Sequence, residues 1–297
     1  MHKERSKGTV IVTTAYILWG FSTLFWTLFG GIDSFYILAQ RIIWSVIVIA
    51  PMILVLHRTE EVKSVFRSKK KLALCFLSGA LVTVNWGGFI YAVSNDLVLD
   101  ASLGYFIEPI VVSLIGLILF RERMSKWEKV TLFFAFAAVM YMILSVKTLP
   151  LLSLIVAFSF GSYGAVKKKI GLSAESSLFV ESLCMSPFAL LFVWYGETHG
   201  LGCSGVLQGF DLILLPLCGI VTSLPLLIFN IGVKKIPYYL SGILMYINPT
   251  IQFLIGLLLL GEALDVHKLI AFIVIWVGIM FTVAEKISIM KKEKLVG

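Results

Sequence analysis

Three ionisable residues, Arg41, Glu108 and Glu181, lie inside long apolar runs of this 297-residue chain. A charge at membrane depth is costly and persists where it pairs, binds a ligand or moves protons. Arg41 could hold an anionic group such as a carboxylate, while a carboxylic side chain switches protonation or partner. At about 1.5 Å per residue, Arg41 falls roughly 10 Å and Glu108 roughly 12 Å below one membrane face, with Asn85 at a comparable level. Glu108 is therefore the expected partner of Arg41, with Asn85 beside it. Glu181 and Asn248 fall at mirror-image depths from the other face. The alternatives are structural: a permanent ion pair or snorkelling for Arg41, and packing roles for the carboxyls.

Pro109 and Pro249 sit in the middle of their apolar runs. Each removes a backbone donor and frees the carbonyl four residues earlier, at Tyr105 and Met245. Helix breaks are expected there, either lining a cavity or acting as plain kinks. Trp19, Trp44, Trp86, Tyr105, Phe106, Phe160, Tyr163 and Tyr246 cluster near the same level, beside Gly20, Gly87, Gly88, Gly161 and Gly164. Packing explains any one of these aromatics, and close helix approach explains the glycines. As a group they suit an adaptable aromatic cavity. The candidate binding set is Trp19, Arg41, Trp44, Asn85, Trp86, Tyr105, Glu108, Phe160, Tyr163, Glu181, Tyr246 and Asn248, with no catalytic residue among them.

The elements that position these residues are membrane spans. A mean hydropathy of +0.97, with 59% apolar and 14% charged residues, leaves too little polar surface for a soluble fold. Apolar runs of bilayer length cover 8–30, 34–56, 72–93, 100–120, 127–146, 149–166, 175–196, 212–233, 239–260 and 268–286. Of the 25 Lys and Arg residues, all but Arg41, Lys147 and Lys268 fall on one side of these runs. That asymmetry marks the cytoplasmic side and puts both termini there. The inner segments are the N-terminus, 57–71, 121–126, 167–174, 234–238 and the tail from Lys286. The outer ones are 31–33, 94–99, 147–148, 197–211 and 261–267. Runs such as Lys69–Lys71 and Lys167–Lys169 read as topology determinants.

Residues 101–122 and 241–262 share eight of 22 aligned positions, including Pro109/Pro249, Gly116/Gly256 and Glu122/Glu262. The same offset of 140 sets Arg41 on Glu181 and Phe89 on Phe229, and one residue further Trp19-Gly20 falls on Phe160-Gly161. Five spans is an odd number, so a second copy enters the membrane upside down. The opposite loop charge after the two matched spans agrees. The expected fold is an all-α integral membrane protein of ten transmembrane helices, built as two inverted-topology five-helix repeats, 1–146 and 147–297. Such repeats are a construction principle of secondary transporters, with the site near midplane between the halves.

The net charge of +8 sits in short loops and suits anionic lipid headgroups better than nucleic acid. His2, His57, His199 and His267 lie outside the expected spans, which removes histidine metal sites; no metal or cofactor is expected. Cys75, Cys184 and Cys218 fall in apolar runs and Cys203 in an outer loop, so no disulfide is expected. No Walker-type loop, G-x-S-x-G elbow or H-E-x-x-H motif occurs, so the chain is expected not to be an enzyme. The apolar run behind the basic N-terminus is too long for a signal-peptide core and reads as a retained first span.

Several stretches resemble the RarD family of the EamA group in the drug/metabolite transporter superfamily. They are Gln40–Ser45, Asn85-Trp86 with Tyr91–Val93, Ala101–Ile107, Ala157–Gly164, Glu181, Thr222 with Pro225-Leu226, and Tyr246-Ile247 with Pro249-Thr250. The resemblance spans nearly the whole chain. It implies ten helices, a bacterial inner-membrane location, and export or exchange of small metabolites or drugs. Gln40 and Glu108 depart from the family's usual His and Asn at these positions, which leaves Arg41, Asn85, Trp86 and Glu181 as its shared candidates. The leading expectation is a secondary transporter of a small amphipathic or amino-acid-like molecule working by alternating access. Its cavity lies between spans one to four and six to nine, with spans five and ten peripheral. It is driven by protons or by exchange and is monomeric. A channel, a lipid scramblase, a receptor or scaffold, and a membrane enzyme are the competing classes.

Overall fold

A bilayer core offers backbone groups no water, so a spanning segment must satisfy its N–H and C=O groups internally. The apolar runs accordingly fold as helices, and the described residues contain no strand. The computed structural model describes residues 2–94, 98–146, 151–261 and 264–296, of which 2–3, 92–94, 98–102, 146 and 286–296 are described as backbone only. Lys147, the tips of the loops at 95–97 and 147–150, and Glu262 lie outside the described residues.

The main helices are α1 (His2–Trp26), α2 (Ser34–Val55), α3 (Thr59–Phe66), α4 (Lys69–Ser94), α5 (Val98–Leu119) and α6 (Lys126–Val146). They continue with α7 (Leu151–Lys169), α8 (Ala174–Thr198), α9 (Leu214–Gly232), α10 (Tyr238–Met245), α11 (Ile247–Leu258) and α12 (Val266–Val296). Eight helical segments among the described residues are long and apolar enough to cross a membrane, and Leu103–Leu119 is a shorter apolar helix. The chain is a multi-pass membrane protein.

Four details differ from the sequence expectation. The inner segment 57–71 contains α3, whose Val65 is buried. Span ten starts at Val266, so His267 sits in its first turn, and the helix continues through the basic tail. The two expected helix breaks differ from each other. α5 runs through Pro109 without interruption, and Ser113 Oγ donates to the Pro109 carbonyl at 2.9 Å. Near Pro249 the helix does break, at Tyr246, between α10 and α11. That break lies beside Met245, whose carbonyl the Pro249 ring would crowd.

Helices on either side of the chain's midpoint pack together in a regular pattern: α2 on α8, α6 on α12, α5 on α10, α5 on α7, α1 on α11, α4 on α7, α1 on α9, α4 on α8 and α2 on α9. Lipid supplies no hydrophobic drive between helices, so small residues that admit close approach matter. A Cβ on Gly20 would lie 2.6 Å from Ile251, and one on Gly161 would lie 2.9 Å from Val111. A Cβ on Gly79 would lie 2.8 Å from the Glu181 carbonyl, and one on Gly219 would lie 2.8 Å from Trp44 Cβ. The helix ends recur too. Asp33 caps α2 and Ser173 caps α8 through side-chain oxygens, satisfying N–H groups left free in the first turn. Arg121 (φ 51°) and Gly261 (φ 69°) follow α5 and α11 in the left-handed region.

Candidate functional site

Arg41 is the eighth residue of α2, and its position on that helix aims it into the space between α1 and α4. The Nε–H donates to Thr222 Oγ1 on α9 at 3.0 Å. The guanidinium carbon sits 4.4 Å from the Trp26 ring centroid and 4.2 Å from that of Trp86. A cation held over two aromatic faces in a desolvated site is stabilised by roughly 2 kcal/mol per face. The expected Arg41–Glu108 ion pair is not formed: no ion pair to Arg41 occurs among the described residues. Both side chains face one cavity, but Arg41 is engaged by Thr222, Trp26 and Trp86 instead.

Glu108 on α5 is instead hydrogen-bonded by the Asn85 side chain, whose Nδ2 also donates to the Val156 carbonyl at 2.8 Å. Glu108 is 4% exposed, and its Oε2 has no hydrogen-bond partner among the described residues. Both Arg41 and Glu108 line one cavity of about 330 Å³. Its aromatic walls are Trp19, Trp26, Trp86, Phe89, Tyr105 and Phe160, and its polar groups include Ser22, Thr23, Asn85, Asn248 and Gln252. Arg41 and Glu108 are its two formally charged lining residues.

The cavity has a direction. On α1 its lining runs from Tyr16 to Trp26, and on α2 from Arg41 back to Ser34, so it rises towards the turn joining these helices. Its floor is aromatic. Trp19 meets Phe160 edge-on with centroids 5.9 Å apart, and Phe229 lies 5.7 Å from each. Beyond the floor the helices are tied together. Tyr16 Oη and Ser241 Oγ are 2.8 Å apart, Tyr238 donates to the Gly161 carbonyl at 2.7 Å, and Lys168 pairs with Glu122 at 3.2 Å.

Eight of the twelve sequence candidates therefore meet in one place: Trp19, Arg41, Asn85, Trp86, Tyr105, Glu108, Phe160 and Asn248. Asn248, expected at Glu181's level, belongs to this cavity, on α11 where that helix packs on α1. Four candidates do not line it. Trp44 donates to Gln40 at 3.1 Å and packs on Gly219. Tyr246 is buried and donates to the Phe106 carbonyl at 3.0 Å. Tyr163 reaches Glu181 at 3.3 Å. Glu181 is 1% exposed and forms an ion pair with Lys167 at 2.8 Å.

That last contact corrects the reading of Lys167 as a topology residue. Its side chain is fully buried, donating to Ser177 at 2.7 Å and to Glu181 at 2.8 Å. Of the lysine run 167–169, it is the member that faces inward. The lining is also narrower than expected: α8, α6 and α12 supply no lining residue, and α9 stands behind the lining through Phe229 and Thr222. Trp26, Ser22, Thr23 and Gln252 are lining residues that the sequence reading missed.

The EamA-like transporter family matches residues 148–284. The uncharacterized transporter YojE of Bacillus subtilis (strain 168) is 35% identical, over 94% of this chain and 94% of its own length. Protein RarD of Salmonella typhi is 32% identical over 98% and 99% of the two chains, and protein RarD of Escherichia coli (strain K12) is 30% identical over 96% of each. A solved structure, described only as the crystal structure of a protein, has a TM-score of 0.72 over 93% of this chain and 97% of its own, at 18% identity. It shares the fold.

Proposed function

The chain belongs to the EamA-like transporter family and its RarD group, within the drug/metabolite transporter superfamily, and from that premise we propose a secondary transporter working by alternating access. One observation carries the proposal: a single cavity at membrane depth that sets a cation, Arg41, and a carboxyl with an unpartnered oxygen, Glu108, within aromatic walls. That combination suits a small amphipathic, amino-acid-like molecule. A carboxylate meets Arg41, a donor such as an ammonium meets Glu108, and an apolar body lies on the rings. The outer side is the open one, because the cavity rises towards the turn at 31–33, which carries no Lys or Arg, while the ties lie at the basic loops. The location proposed is the bacterial inner membrane with both termini cytoplasmic, and the direction is export or exchange.

The repeat reading, 1–146 and 147–297, is supported by the packing. An offset of 140 or 141 turns α5–α7 into α11–α1, α4–α7 into α9–α1 and α2–α9 into α8–α4, and each of these pairs packs. Gly20–Ile251 becomes Gly161–Val111 in the same way. An odd number of spans per repeat makes the copies antiparallel across the bilayer, which lets one sequence plan open to either side.

Counterflow in liposomes tests the function. Purified protein is expected to give saturable exchange of an amphipathic metabolite, reduced by Arg41→Ala at unchanged expression. Non-saturable flux across a broad panel, or lipid scrambling, would point to a channel or scramblase instead. An epitope placed within 57–71 tests the topology and is expected on the cytoplasmic side.

A further inference from the structure

Each half of the chain sets one cation between its first two helices. Arg41 and Glu181 stand 140 apart and are each the eighth residue of their helix, α2 and α8. Trp26 and Lys167 stand 141 apart, the register of Trp19/Phe160. In the first half, the helix-two residue Arg41 lies over the helix-one residue Trp26 at 4.4 Å, facing an open cavity. In the second, the helix-one residue Lys167 is bound to the helix-two residue Glu181 at 2.8 Å, and no comparable cavity is open there. A space beside Glu181 holds about 20 Å³ and is lined in part by Thr83, Ser182 and Thr222, room for one water at most.

The surroundings of the pair are built to receive charge. Ser78 donates to Glu181 at 2.7 Å, Ser177 accepts from Lys167, and Tyr163 stands between Glu181 and Asn230. A buried ion pair gains little stability over apolar packing of equal volume. Stability alone therefore gives no reason to set a lysine there. Lys167 also lies at the cytoplasmic end of α7, beside Lys168 and Lys169, where an inward opening would begin.

We propose that Lys167 is the carboxylate-binding cation of the inward-open state, the counterpart of Arg41, and that Glu181 occupies it as an internal stand-in while the inner side is closed. On inward opening, the cargo's carboxylate takes over the Nζ of Lys167 and Glu181 retains its bond from Ser78. The inference rests on the transport reading above, but its test reads accessibility rather than transport, so the two can fail separately.

Cys75 is free and buried, one turn from Ser78 on α4, and serves as the inner reporter. Thr23→Cys, at the cavity wall, serves as the outer one. Each is placed alone in a full-length chain whose other cysteines are Ala, and labelled in proteoliposomes with a membrane-impermeant maleimide. Glu181→Gln is expected to raise cytoplasmic-side labelling of Cys75 on the order of tenfold and to lower labelling at position 23, because opening inside closes outside. Millimolar 3-phenylpropionate, but not 3-phenylpropanol, is then expected to protect Cys75. Adding Lys167→Gln removes that protection while the chain stays monodisperse. Labelling that rises at both positions, or at neither, would show a merely structural pair and overturn the proposal. Equal protection by acid and alcohol, or protection that survives Lys167→Gln, would overturn it too.

Discussion

Arg41→Ala isolates the chemistry of the cavity. Its guanidinium offers N–H donors to a cargo carboxylate while its face stays between Trp26 and Trp86. A charge-assisted hydrogen bond is worth about 1.5–3 kcal/mol, so losing it weakens carboxylate binding by roughly 10- to 150-fold. The loss should appear in the KM of counterflow for an amino-acid-like cargo. Arg41→Lys keeps the charge but not the flat stack between two rings, and an intermediate loss is expected. The sign can be checked with the opposite carboxyl. Arg41→Ala leaves Glu108 as the lining's one formal charge, so selectivity should swing towards cationic analogues. Glu108→Gln should weaken binding of the amine-bearing cargo and spare its deaminated acid. Counterflow of paired acid, amine and zwitterion analogues separates these cases. An Arg41→Ala protein that is well folded, with KM unchanged for the zwitterion, would refute the assignment of the cavity.

Lys167→Met alone should destabilise the fold by about 3–5 kcal/mol because it strands a buried carboxylate, whereas Lys167→Met with Glu181→Leu should come out near neutral; melting in detergent gives the double-mutant cycle, and additive losses would contradict it. Gly20→Ala places a Cβ 2.6 Å from Ile251, and overpacking of this kind costs about 1–3 kcal/mol; Ile251→Ala in the same chain should restore the melting temperature. Burial opposes ionisation of Glu61 in α3, but hydrogen bonds from the Ser173 side chain and backbone and from Ser176 outweigh it and lower its pKa. Its contribution is thus present above the ordinary carboxylate range and lost as pH falls through the depressed value. Glu61→Gln should therefore melt lower than wild type near neutral pH, and the two should converge in acid.

The apolar helices were legible because hydropathy, like rise per residue, is a one-dimensional quantity. The azimuth of each side chain is not, so the partner of Arg41 was misassigned. Depth brings Arg41 and Glu108 to one level, yet Trp26 and Thr222, on helices far apart in sequence, decide where the guanidinium rests. Lys167 carried a signal that a charge-run reading hides. Three consecutive helical residues are spread around the axis by about 100° each, so three lysines cannot all face outward. Phe160, Tyr163 and Lys167 fall on one stripe at spacings of three and four. α3 was hidden by the polar composition of its segment, although Val62 and Val65 give it one apolar edge.

Placement of the ties limits which interfaces can move. α2 and α8 are joined at both ends. At one end Tyr36 donates to Glu197 and accepts from Gln40 at 2.8 Å. At the other end Glu61, just past α2, accepts from Ser173 and Ser176, and Arg58 pairs with Glu175 at 3.0 Å. A helix pair clamped at both ends cannot splay at one of them without breaking a clamp. The α1–α11 and α5–α7 interfaces are closed by glycine against Ile251 and Val111. Smooth contacts of that sort let helices slide or rock with little loss, as tethered ones do not. The cavity is walled by α2, which carries Arg41 within the clamped pair, and by α1, α4, α5, α7 and α11. A change of access that rocks the other walls about a fixed α2–α8 pair would hold Arg41 and Glu181 in place and alter only what reaches them.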